Sequence, residues 1–103
     1  MRAPSASKNF MNQQHYARVE WAILDLQLSI SSVWRANSCL DLDTVQRTRA
    51  KAAATLSHSD IILKKFGGEP SQLARAAEQR KRLAALLAEP APIEQLARIL
   101  RVA

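Results

Sequence analysis

The stretch YARVEWAILDLQLSISSVW, residues 16–34, decides the fold. Tyr16, Val19, Ile23, Leu26, Ile30 and Val33 recur at intervals of 3, 4, 3, 4 and 3. Those are the a and d positions of a heptad, the apolar seam of a helix packed on other helices. A second apolar set, Ala17, Trp21, Leu24 and Leu28, recurs at 4, 3 and 4. At about 100° per residue this set lies more than a right angle from the first. Glu20, Gln27 and Ser31 separate the two seams on one flank; Arg18, Asp25, Ser29 and Ser32 separate them on the other. A helix with one neighbouring layer needs only one stripe. Two stripes place this helix between two layers, the second being either another helix of the chain or another protein. An intermolecular surface on Trp21, Leu24 and Leu28 is the expectation, with the Trp21 indole as anchor.

Outward from this stretch the chain reads as helices joined by short breaks. No Gly or Pro interrupts residues 10–37, so the first helix is expected there, after a flexible tail over residues 1–9. Asp41 or Asp43 opens the second helix, and Asp43 with Gln46 fits a capping box. Gly67 and Gly68 end it, behind Lys64 and Lys65 in its last turn. Pro70 suits the first turn of a third helix running to about Ala88, and Pro92 opens a short fourth. The second helix has one broad stripe through Leu42, Val45, Ala52, Leu56, Ser59, Leu63 and Phe66. The third shows Leu73, Ala76, Ala77, Leu83, Ala84 and Leu87 on one side, with Arg80 in the middle. A charge placed there must reach solvent or an acid, such as Asp25 or Glu20, or a carboxylate on a partner. No segment alternates with period two, so no strand is expected. The fold expected is all-α: a four-helix bundle spanning residues 10–103, its first two helices long and antiparallel.

Composition bounds the function. The chain has 103 residues, 48% of them hydrophobic, which suits one globular domain. The formal charge of +6 favours an acidic protein or nucleic acid as partner, or serves solubility alone. Cys39 is the only cysteine, which excludes an intrachain disulfide and a thiolate zinc site and suits a reducing compartment. The start lacks the apolar core of a secretory signal, and no apolar run approaches membrane-spanning length. A cytoplasmic protein, not bound to membranes, is expected.

Enzyme chemistry finds no foothold. His15 and His58 are isolated, without the spacing that puts two metal ligands on one helix face. FGGEPS, residues 66–71, lacks the Lys-Ser/Thr of a phosphate-binding loop. No catalytic residue, metal, cofactor or small-molecule substrate is expected. The closing stretch QLARILRVA, residues 95–103, resembles the first helix of a helix-turn-helix at Leu96, Ala97, Leu100 and Val102. Arg101 stands where the turn usually carries Gly, and no recognition helix follows in these 103 residues. The stretch reads instead as a short amphipathic helix with Ile93, Leu96, Ile99 and Leu100 pointing inward.

Two functions remain. The first is a non-enzymatic interaction or regulatory module that self-associates and occludes a partner's surface. Trp21, Leu24 and Leu28 would form its interface, Arg80 would supply a polar contact, and basic rim residues would steer an acidic protein partner. The alternative is a small DNA- or RNA-binding protein using Arg47, Arg49 and Lys51 of the second helix with Arg75, Lys81 and Arg82 of the third.

Overall fold

The computed structural model describes the backbone of residues 3–102 and the side chains of residues 13–101. Four helices follow one another: α1 (Ala3–Ala36), α2 (Leu42–Phe66), α3 (Pro70–Ala88) and α4 (Pro92–Val102). Among the described residues there is no strand, and the protein is all-α. α1 starts earlier than the sequence suggests. Residues 3–9, expected as a tail, have helical backbone, while Met1 and Arg2 lie outside the described residues. Pro4 is compatible with the early start: it falls in the first turn, where its missing N–H has no intrahelical partner to lose.

α1, α2 and α3 pack as an up-down-up bundle. The His15 ring of α1 sits 5.2 Å from that of Phe66 at the far end of α2, so these helices are antiparallel. Gln72, early in α3, reaches Tyr16, and Leu83 packs with Leu26 and Val33, so α3 runs parallel to α1. The first seam of α1 is the core. Val19, Ile23, Leu26 and Val33 are buried, and Ile30 packs against them half-buried. One cluster joins Leu26 and Val33 to Ala52 and Leu83; a second joins Val19 and Ile23 to Ala76. Tyr16, the first residue of the seam, is exposed.

Two local expectations shift. Asp41, not Asp43, caps α2: its carboxylate accepts from the Asp43 N–H at 3.2 Å and the Thr44 hydroxyl at 2.5 Å. Asp43 therefore lies inside the first turn, where it pairs with Arg47 at 3.2 Å. On α3 the buried line is Gln72, Ala76 and Leu83, while Leu73, Ala77 and Ala84 face outward. An amide can occupy that line because its hydrogen bonds are met. Gln72 Nε2 donates to the Tyr16 carbonyl (3.0 Å) and to Glu20 (2.9 Å), and its Oε1 accepts from the Glu69 N–H (3.1 Å). The turn between α2 and α3 follows expectation. Gly67 has φ 75°, open to glycine without strain, and its N–H closes the helix onto the Leu63 carbonyl at 2.9 Å.

The end of α3 is held by a residue of α2. No basic side chain occupies its last turn, and Glu89 rather than a glycine follows it. Arg49 supplies what is missing. Its guanidinium is buried and donates to the carbonyls of Leu86 and Leu87 (both 3.2 Å) and of Glu89, which lack helical donors. It also donates to Asn37 Oδ1 just past α1 (3.0 Å), and its Nε lies 3.2 Å from Glu94 Oε1 in α4. The same Glu94 oxygen accepts the Ala91 N–H at 2.8 Å, capping α4.

α4, the fourth helix, meets the bundle through its polar side. Its Glu94, Ala97, Arg98 and Arg101 share one face, which lines a cleft with Leu42 and Gln46 of α2. Leu96, Ile99 and Leu100, expected to point inward, are exposed. The helix is therefore turned with its polar side toward the bundle, as the Glu94–Arg49 pair requires. Removing Arg49 strands several buried acceptors at once. Arg49→Met is expected to lower unfolding stability in urea by about 3 kcal/mol. The exposed Arg47→Met should stay within about 0.5 kcal/mol. A loss at Arg49 no larger than at Arg47 would refute this role.

Candidate interaction surface

The second seam of α1 faces solvent. Val19, Ile23 and Leu26 turn toward α2 and α3, and helical spacing puts Ala17, Trp21, Leu24 and Leu28 on roughly the opposite side. Trp21, Leu24 and Leu28 are 65%, 40% and 56% exposed, and Ala17 is exposed with them. Among the described residues, none of the chain's own helices covers this stripe. On one flank it borders an open groove of about 450 Å³, where Tyr16, Trp21 and Leu24 meet Glu20 and Arg75. On the other flank Trp21 and Ala17 border a second groove with Arg18, Asp25, His58 and Ile62.

The polar flanks differ in how their charges are used. Glu20 is committed within the chain: Arg75 NH1 donates to it at 3.2 Å, Arg75 NH2 donates to its other oxygen, and Gln72 adds a third bond. These bonds, Arg75 first and Gln72 second, hold its carboxyl below the ordinary value of 4.5. On the opposite flank Asp25 has no cation partner among the described residues. Arg18 lies 5.0 Å from the Phe66 ring centroid, over its face, and pairs with no acid among the described residues.

Comparison with protein-family models, characterised proteins and solved structures found no match. The surface therefore rests on its own geometry.

Arg80 lies away from the α1 stripe. It pairs with Asp60 of α2 at 3.3 Å, not with Asp25 or Glu20, while its Nε is buried without a partner. The six cations considered for nucleic acid do not gather on one face. Arg49 is 9% exposed and serves the chain's own carbonyls, so it is not a surface cation. Its helical phase explains this: Arg49 lies four residues from buried Val45 and three from buried Ala52. Arg75 is tied to Glu20, Arg47 to Asp43 and Arg82 to Glu78. Lys51 and Lys81 are exposed on different helices.

Trp34 was outside both seams in the sequence and is 68% exposed. It lines a groove with Ile30 of α1, Ala85 and Leu86 of α3, and Pro92 of α4. An apolar residue belonging to neither stripe was the available signal. Among the described residues no group of three or more His, Cys, Asp or Glu is placed to hold a metal ion. No helix among them is long and apolar enough to cross a membrane.

The Glu20 bonds carry a pH dependence. A carboxyl held below its unfolded value adds stability above that value and loses it as the pH falls through the folded one. The unfolding midpoint of the parent is therefore expected to exceed that of Glu20→Gln at neutral pH. The gap should narrow as acid takes the pH below 4.5. A gap that is constant across the titration would rule out the charge of Glu20 as its source.

Proposed function

We propose that the protein is a non-enzymatic helical interaction module that self-associates through the outer stripe of α1. The observation that carries this reading is the exposure of Trp21, Leu24 and Leu28 on the side of α1 opposite the core. Single exposed apolar residues are ordinary on a protein surface; an aligned series with a Trp at its centre marks a contact region. Covering it removes apolar area from water, at roughly 25 cal/mol per Å² before the cost of association. A module of this kind regulates by occlusion: a copy or a partner seated on the stripe denies it to others. The net charge of +6 favours acidic proteins among such partners and slows the approach of two like copies at low salt.

Light scattering at low and high salt tests the reading. The parent is expected to be a dimer and Leu24→Asp a folded monomer, with helical content unchanged by circular dichroism. A charge on the stripe must be desolvated to pair, so the loss should be at least about a hundredfold in dimerisation constant. A parent that is monomeric at every concentration and salt would overturn self-association.

A further inference from the structure

The spacing of the stripe and the charges beside it specify how a second copy would sit on it. This inference rests on the self-association reading and adds orientation and register. Ala17, Trp21, Leu24 and Leu28 read 4, 3, 4 in either direction. An antiparallel two-fold interface needs such a pattern, because each patch must meet its own copy reversed. Two arrangements satisfy the spacing alone. In a parallel pair each residue meets itself, so Trp21 faces Trp21 in one layer and Ala17 faces Ala17 in another. One layer is then overfilled and another nearly empty, and both faults cost stability. In an antiparallel pair Trp21 meets the partner's Leu24 and Ala17 meets the partner's Leu28. Every layer then joins a larger side chain to a smaller one.

Charge gives the same answer independently. A two-fold axis crossing antiparallel helices at right angles keeps each flank beside the same flank of the other copy. Arg18 and Asp25 share one flank of the stripe, and neither has an ion-pair partner among the described residues. In the antiparallel register Arg18 falls within two residues' rise, about 3 Å, of the partner's Asp25, and the symmetry repeats the contact. Glu20, on the other flank, is already neutralised by Arg75.

We propose that the second copy packs antiparallel along α1, with Trp21 against the partner's Leu24, Ala17 against the partner's Leu28, and Arg18 beside the partner's Asp25. The occupant of the stripe is thus another copy of this chain, held by four apolar layers and two symmetric ion pairs.

Disulfide mapping reads the register directly. Ala17→Cys and Leu28→Cys are introduced together in a Cys39→Ser background, and the folded protein is oxidised with glutathione disulfide. The two positions are about 16 Å apart along one helix, too far to join within a chain. Peptide mapping is expected to find residue 17 joined to residue 28 between chains. Joins of 17 to 17 and 28 to 28 would overturn the register while leaving self-association standing. A dimer by light scattering that yields no disulfide would show that copies meet elsewhere and overturn the proposal. A monomeric parent would overturn both it and the reading beneath it, and would assign the stripe to a different protein. Charge reversal is the second measurement. Arg18→Asp and Asp25→Arg singly should each weaken the dimer about fivefold, and the double variant should restore it. A double variant no tighter than the singles would remove the Arg18–Asp25 contact from the proposal.

Discussion

One buried cation organises this molecule. Arg49 projects from α2 into the place where α1 ends, α3 ends and α4 begins, and it bonds to all three. A guanidinium suits the position because its five donors spread in a plane and remain charged. An ammonium has three donors on one nitrogen and would leave at least two of these five acceptors dry. The lack of a cation or glycine at the end of α3 follows from this arrangement: the group that meets those carbonyls comes from another helix. So does the direction of α4, since the carboxylate that holds Arg49 also caps the α4 N-terminus.

The same arrangement explains the spare face on α1. With α2 and α3 gathered over Leu26 and Val33, and α4 held at the Arg49 end, no helix among the described residues is left to lie on the far side of α1. A three-helix core needs one stripe from each member. α1 carries two, and the second is therefore outside. The proposed second copy would add the missing layer without any change in the bundle. The free charges beside the stripe fit that role, because Glu20 is spent within the chain and Asp25 is not.

Much of this was legible in the residues. Heptad spacing identified the buried face of α1, and Gly67, Pro70 and Pro92 marked the helix ends, because each is a local matter of backbone sterics and periodicity. The two stripes were equally plain, although spacing alone does not tell which layer covers the second. What the sequence hid was long-range. Arg49 looked like a surface cation, since its acceptors are main-chain carbonyls that carry no residue signature. Gln72 gave no sign of its buried place for the same reason: its partners are the Tyr16 carbonyl, Glu20 and its own helix cap. Trp34 belonged to neither repeat, so periodicity had nothing to say about it.

α4 shows how nearly balanced such choices are. Leu96, Ile99 and Leu100 have the spacing of a core-facing helix, and burying their exposed parts would be worth about 1 kcal/mol each. Rotating the helix to do so would carry Glu94 away from Arg49 and from the Ala91 N–H. Breaking a buried ion pair costs about 3–5 kcal/mol, and a lost N-terminal cap about 1 kcal/mol more. The polar contacts win by a small margin, and they win because they are buried. An apolar pattern predicts which face of a helix would gain from burial. It does not predict that a single carboxylate, placed on the opposite face and matched to a cation inside the protein, will turn that helix around.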